Sequence, residues 1–356
     1  MIDKIAHIVT FHCVPNYGAV LQTYGLQEYL KTLFKEVRVL DYRPKSILKE
    51  YKNVNYHSTG SIVYSVWSLI PFISKKRKFA KFEKRLQLSC TTGKIADDFS
   101  SIKSDYLFCG SDQIWNPNVT HGFDPVFFGA FKTNSRPKII SYAASLGKNV
   151  FSKQEILQME TLLEHVDIIS VREKDAQNLL AKELNINATV VADPTILAGS
   201  KVFKPLVKDV NYKKFLFVYT LTNNPKTLQV AKEVAKKKNL QIVQVNGNRK
   251  PLHKPKHVII NNAGPEDFLS LLFHSDFVVT DSFHGTVFSN LFHVPYITIP
   301  HKTRGGRMVN LLTELDMLGR LTDKPDVSEI PIDWTTVDNN LERIQKESIE
   351  FINKSL

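Results

Sequence analysis

Cysteine is scarce in this chain, and so is every motif built on it. Cys13, Cys90 and Cys109 are the three thiols among 356 residues, far apart and in no C-x-x-C pair. Neither a disulfide framework nor a cysteine zinc site follows from so few, and a reducing cytoplasm is the expected compartment. Cys109, inside an apolar run, reads as a small core residue. No segment offers the roughly 18 consecutive apolar residues of a spanning helix. The opening Met-Ile-Asp-Lys-Ile-Ala-His lacks the charged-then-apolar pattern of an export signal, so a soluble chain, at most peripheral to a membrane, is expected. The G-x-G-x-x-G fingerprint is missing, as is a Walker A lysine loop, which counts against dinucleotide and ATPase chemistry. No metal-ligand spacing is evident, and neither metal nor cofactor is expected.

Negative charge is short as well. Lys and Arg number 47 against 35 Asp and Glu, leaving a formal net charge of +12. That excess implies an anionic partner: a phosphorylated substrate, a membrane surface or a nucleic acid. The cations concentrate near 75–85 and 301–307 and are not interleaved with aromatics as a stacking platform, so nucleic acid is not the expected partner.

Apolar periodicity alternates along the chain between 2 and 3.6, the mark of an α/β fold. Strands are expected at Ile5–Thr10, Val37–Tyr42, Tyr106–Cys109, Ile139–Ala143, Ile168–Val171 and Thr189–Val191, with helices at Gly18–Leu33 and Ser152–His165 and another after Arg172. A lysine-rich stretch with Pro205, Gly199–Tyr212, reads as a linker. The alternation then restarts: strands at Phe215–Thr220, Leu240–Val245, Val258–Ile260, 277–280 and Pro295–Ile299, helices at Pro225–Lys238 and Pro265–Ser275. The expected architecture is two Rossmann-like lobes with a cleft between them. The first spans 1–198 and forms the acceptor side; the second, 199–336, forms the donor side. An amphipathic helix at 337–356 is expected to pack back on the first lobe.

A basic and apolar insertion interrupts the first lobe at about 44–90. Ser61–Ser74 is apolar and aromatic, and residues 75–85 hold seven Lys or Arg against the single Glu83. Such a segment reads first as an ordinary surface helix with a solvated charged face, and it also suits an anionic membrane surface.

Polar clusters recur at the ends of expected strands, where open α/β sheets bind ligands. Phe277–Thr280 runs into Asp281-Ser282-Phe283-His284-Gly285, which puts a histidine at a helix start. It can meet an anion there or move a proton, or merely cap the helix. After the first strand come Asn16, Tyr17, Gly18 and, one turn on, Gln22, read either as a ligand-facing turn or as a helix cap. Gly110-Ser111-Asp112-Gln113-x-Trp115 suits a sugar, with carboxylate and amide for hydroxyls and indole for the ring face, or else serves only the chemistry of a turn. Arg172 ends another strand and could grip an anion or pair with Glu173. His301-Lys302-x-Arg304-Gly-Gly-Arg307 reads as an anion clamp.

Taken in order, Asn16–Gln22, Gly110–Trp115, Ser141-Tyr-Ala-Ala-Ser145, Val171-Arg-Glu173, Asp193-Pro194 and Thr280–Gly285 resemble the polysaccharide pyruvyl transferase family. The resemblance implies a fold like the GT-B glycosyltransferases. It implies phosphoenolpyruvate as donor and co-substrate, and a saccharide acceptor, free or lipid-linked, in cell-surface polysaccharide (exopolysaccharide) biosynthesis. The product would be a pyruvate ketal bridging two hydroxyls. By position Arg172 and His284 are similar to the family's donor-binding arginine and essential histidine, and Lys302 or a neighbour to its cationic partner. Many members carry Arg-Leu-His where this chain has Ser282-Phe283-His284, so one donor contact is either missing here or replaced by Arg304 or Arg307. On this basis Arg172, Ser282, His284, Lys302, Arg304 and Arg307 form the donor side. Asn16, Tyr17, Gly18, Gln22, Asp112, Gln113 and Trp115 form the acceptor side. His284 and Asp112 are the expected catalytic pair. The work is placed in the cytoplasm, with 61–85 touching the inner face of the membrane if the acceptor is lipid-linked. A nucleotide-sugar-dependent GT-B glycosyltransferase is the alternative, since fold does not fix function.

Overall fold

The computed structural model describes residues 1–52, 62–89, 99–221, 224–246, 257–300 and 306–356. The chain divides into two compact units. The first is Met1–Asn53, Glu83–Ala198 and Glu342–Leu356; the second is Val54–Phe82 and Gly199–Leu341.

In the first unit β1 (Ile2–Val9), α1 (Tyr17–Leu30) and β2 (Phe34–Val39) form a parallel βαβ unit. Next in chain order come α2 (Lys45–Lys52), α3 (Ile62–Glu83, which as far as Phe82 belongs to the second unit), β3 (Tyr106–Cys109), the one-turn α4 (Pro117–Thr120) and β4 (Lys138–Ser141). Then α5 (Lys153–Leu163), β5 (Ser170–Val171), α6 (Lys174–Leu184), β6 (Thr189–Val190) and α7 (Pro194–Phe203) follow. The sheet order is β2-β1-β3-β4, every pair parallel. Parallel bridges Ile140–Ile168 and Ala144–Val171 carry the β5–β6 ladder on from β4. Because strand side chains alternate, β1 and β3 bury both faces. Val9, Leu107 and Cys109 enter one core with Trp115 and Phe127, while Ile8 and Phe108 enter another with Leu26 and Ile140. Such doubly buried strands read as continuous apolar runs, which is why the sequence shows them clearly.

The second unit repeats the plan with β7 (Phe215–Tyr219), α8 (Pro225–Lys238), β8 (Gln241–Val245), β9 (Val258–Ile260), α9 (Pro265–Phe273), β10 (Phe277–Thr280), α10 (Phe283–Leu291), β11 (Tyr296–Thr298) and α11 (Gly306–Glu314). Its parallel sheet is ordered β11-β10-β7-β8-β9. Each unit is a Rossmann-like lobe.

Three features differ from the expectation or sharpen it. The basic insertion is divided: α3 as far as Phe82 clusters with the second unit. There Lys78 Nζ pairs with Asp267 Oδ2 at 2.7 Å, Lys75 Nζ donates to Asn246 Oδ1 at 2.9 Å, and Phe79 and Phe82 are buried. Burial pulls the Lys75 ammonium to a pKa of about 8. The expected linker at 199–212 begins as helix, since α7 continues to Phe203 through a kink at Gly199 (φ 69°), and Phe203 and Leu206 are buried. Finally, α12 (Trp334–Ser355) buries Phe351 and Ile352 in the first unit, and its Ser348 Oγ accepts from Ala192 N at 2.8 Å.

Candidate functional site

The strand order of the first sheet reverses between β1 and β3. Ligands in open α/β sheets bind beyond the carboxyl ends of the strands at such a point. The loop leaving β3 there is tightly held. Gly110 has φ 132°, and a Cβ at this position would stand 2.1 Å from Tyr142 O, so only glycine fits. The Gly110–Ser111 peptide is cis. Thr10 Oγ1 donates to Ser111 O at 2.9 Å, Ser111 N donates to Gln22 Oε1 at 3.2 Å, and Ser111 Oγ donates to Ala143 O at 2.7 Å. Asp112 follows with φ 66° and its backbone oxygen accepts from Ser145 N at 3.0 Å. Its side chain is 13% exposed.

Arg172, at the end of β5, meets that carboxylate from inside. Its Nη2 lies 3.9 Å from Asp112 Oδ1, Nη1 donates to Asp193 Oδ2 at 2.7 Å, and Nε donates to Glu173 Oε1 at 3.2 Å. Ser145 Oγ donates to the same Glu173 oxygen at 2.6 Å. Burial works against the guanidinium charge, but Glu173, Asp193 and Asp112 outweigh it and hold the group above its ordinary range. The cation is buried and compensated by three acids, so a two-point grip of a donor by Arg172 would compete with these carboxylates. What the arrangement does directly is fix Asp112 at the mouth of the loop.

Several expected acceptor contacts are corrected. Trp115 is 0% exposed: its ring stacks on Phe128 at 5.0 Å and its Nε1 donates to Phe127 O at 3.1 Å, so no face is open to a sugar. Tyr17 and Gln22 are buried too. The Gln22 amide donates to Thr10 Oγ1, Ala19 O and Thr23 Oγ1, each at 3.0 Å, which makes it a brace for the loop and not a ligand contact. Asn16 caps α1, its Oδ1 accepting from Gly18 N at 3.0 Å and Ala19 N at 3.4 Å, so Gly18 N–H is turned inward. Gln113 stays half-buried, and its Oε1 accepts from Asn116 Nδ2 at 2.8 Å.

Sequence reasoning named Glu173 only as an alternative partner for Arg172 and gave no role to Asp193 or Ser145, although all lie in motifs it picked out. Their common signal is position just after a strand. It also passed over a cluster at the ends of β1 and β2, where ligand atoms of His12, Asp41 and Glu83 lie within 4.8 Å of one another. His12 Nε2 is 3.0 Å from Asp41 Oδ1, and Arg43 bridges Asp41 and Glu83 at 2.6 Å each. The arginine supplies the positive charge a metal would bring, so the group closes as an ion-pair network. A cavity of about 590 Å³, with Lys132, Arg136 and His165 in its lining, opens at the opposite, amino edge of this sheet.

In the second unit the order reverses between β7 and β10, and the polar groups gather there. Asp281 ties the two strand ends together: Thr220 Oγ1 donates to its Oδ2 at 2.6 Å and Leu221 N to its Oδ1 at 2.8 Å. Ser282 caps α10, its Oγ accepting from Gly285 N at 3.4 Å, so this hydroxyl serves the helix before any donor. His284 occupies the first turn, 8% exposed, with Phe283 edge-on at 5.3 Å. Behind it Gly285 lets the helix approach β10, since a Cβ there would stand 2.6 Å from Thr280 Oγ1. Arg307 lies in the first turn of α11 and is half-buried; Lys302 and Arg304 fall outside the described residues. Each switch point thus carries one catalytic candidate, Asp112 in the first unit and His284 in the second.

A family model described as polysaccharide pyruvyl transferase matches residues 16–303. Among curated proteins none matches the chain. The structure is similar to the UDP-GlcNAc 2-epimerase of Neisseria meningitidis bound to UDP-GlcNAc, at 12% identity and a TM-score of 0.50, over 99% of each chain. It is also similar to Arabidopsis thaliana UGT89C1 complexed with UDP-L-rhamnose, at 10% identity and a TM-score of 0.50, over 100% of each chain. At these identities the likeness concerns the fold alone, and that fold is the GT-B type, with Rossmann-like lobes of parallel sheet.

Proposed function

The chain belongs to the polysaccharide pyruvyl transferase family, and from that premise we propose that it moves the enolpyruvyl group of phosphoenolpyruvate onto two hydroxyls of a saccharide. The observation carrying this reading is the family match over 16–303, which takes in both polar strand-edge sites. The first hydroxyl attacks C2 as C3 gains a proton, forming a C–O bond. The second hydroxyl then displaces phosphate, whose oxygen takes the remaining proton, and the ring closes as a pyruvate ketal. The donor carries its own leaving group, so the balance needs no redox cofactor.

Asp112 is the group to orient and deprotonate an acceptor hydroxyl, being the most accessible carboxylate of the Arg172 network. Arg172 is its positioning residue. His284, at the N-terminus of α10, delivers the proton to C3 or holds the phosphate, with the helix dipole favouring the anion. Arg307, with Lys302 and Arg304, supplies the remaining positive charge for a donor bearing carboxylate and phosphate. The reaction runs in the cytoplasm, where this donor is made, on a free or lipid-linked glycan of the cell surface.

The test is incubation with phosphoenolpyruvate and candidate glycans. A glycan mass gain of one pyruvate less water, with stoichiometric phosphate release, is expected. His284→Ala is expected to abolish it without lowering the melting temperature. Turnover of a UDP-sugar in place of phosphoenolpyruvate would replace this reading with a nucleotide-sugar glycosyltransferase.

A further inference from the structure

The lysines and arginines of α3 do not act as one cluster, because the helix has two faces of different use. Lys75, Lys78, Phe79 and Phe82 face the second unit, through Asn246, Asp267 and the backbone of Gly264, against which the Lys78 stem packs. At 100° per residue, the opposite side carries Ile70, Ile73, Lys76, Arg77 and Lys81, spaced at three and four, and Lys84 follows just past the helix end. All six are exposed, Ile70 to 72% and Ile73 to 44%. Exposed Arg85 continues the stripe. The segment's one acid, Glu83, is taken by Arg43 at 2.6 Å.

A solvent-facing stripe that pairs large aliphatic groups at one end with cations along the rest is poorly suited to water alone. It is also poorly suited to nucleic acid, which would be met by aromatics among the cations. Its chemistry matches an interface of fatty chains under anionic headgroups. No helix among the described residues is long and apolar enough to cross a membrane, so contact would lie in the plane. The inner lysines keep the helix docked while the outer face stays available.

We propose that the outer face of α3, with Lys84 just past its end, seats the protein on an anionic phospholipid bilayer, Ile70 and Ile73 entering the headgroup boundary and Lys76, Arg77, Lys81 and Lys84 meeting the phosphates. The seating is independent of the chemistry proposed above, since vesicle binding needs neither donor nor acceptor.

Co-sedimentation of the full chain with phosphatidylcholine vesicles, with and without phosphatidylglycerol, tests it. Binding is expected only with phosphatidylglycerol. A cation near an anionic leaflet contributes about fivefold in partitioning, so Lys76→Ala, Arg77→Ala and Lys81→Ala together are expected to weaken binding about a hundredfold. Removing equal charge elsewhere, by Lys201→Ala, Lys232→Ala and Lys236→Ala, is expected to leave it within a few-fold. Ile70→Ser with Ile73→Ser is expected to abolish the part of the binding that survives raised salt. Equal loss in the control triple, equal binding to pure phosphatidylcholine, an unaffected isoleucine variant, or tighter binding of the same face to single-stranded RNA would each overturn the proposal. All substituted positions are exposed, and unchanged melting confirms that the variants fold.

Discussion

His7 lies in β1 with its ring closed off from water, 3% exposed, and its Nδ1 3.0 Å from Ser104 Oγ. Burial, with Arg38 nearby, pulls its pKa from 6.5 to about 4. The folded protein therefore keeps the ring neutral where the unfolded chain protonates it. The associated stability is fully present above about pH 6.5 and is lost as pH falls toward 4, up to about 3 kcal/mol over the window. Urea unfolding at pH 7 and pH 4.5 is expected to show this loss, and His7→Gln, which can still meet Ser104, is expected to remove most of it. Trp115 gives a second expectation at this scale. As a core indole between the β3 loop and Phe128, its replacement by Ala is expected to destabilise by about 3–5 kcal/mol. A sugar platform would instead raise the acceptor KM with stability unchanged, and the two measurements separate the cases. The sequence singled out Trp115 and read its indole as a platform for a sugar ring, whereas folding places it in the core. A tryptophan beside Asp112 and Asn116 looks alike in a binding loop and in a core, until Phe127 and Phe128 are brought against it.

The elements were easier to read than the residues at their ends. Strands buried on both faces gave apolar runs, and Pro265 and Asn16 marked helix starts by rules that operate within one turn. The start of α10 shows what local rules leave out. Gly285 is there because Thr280 Oγ1 stands 2.6 Å from any Cβ, and that hydroxyl is fixed by donating to Tyr219 O at 2.7 Å and accepting from Ser282 N at 3.1 Å. Gly285→Ala is expected to push the first turn away from β10, lower stability by about 1–3 kcal/mol and reduce turnover by displacing His284. Unchanged kinetics with an unchanged melting curve would show that the helix start absorbs the methyl group. Helix α3 was legible as apolar and basic, but its division into a docked face and an open face was not. Which lysines turn inward depends on Asp267 and Asn246, about 170 to 190 positions away.

At the scale of the whole molecule, two parallel sheets with reversed strand order provide two ligand edges, and the donor class decides the function. Saturating phosphoenolpyruvate, at about a hundred times its Kd, is expected to add about 2.7 kcal/mol and raise the melting temperature by several degrees; UDP-sugars are expected to leave it unmoved. The reverse outcome would favour nucleotide-sugar chemistry on the same fold. By itself the sequence determined the α/β alternation, the repeat of that alternation in two halves, and the family, because periodicity and ordered motifs are properties of short stretches of chain. Only the tertiary structure decided that Arg172 spends its charge on three carboxylates and that Gln22 braces Ser111 from 89 residues away, while Asp112 stays partly accessible. Burial and charge compensation are set by neighbours distant in sequence, and folding alone brings them together.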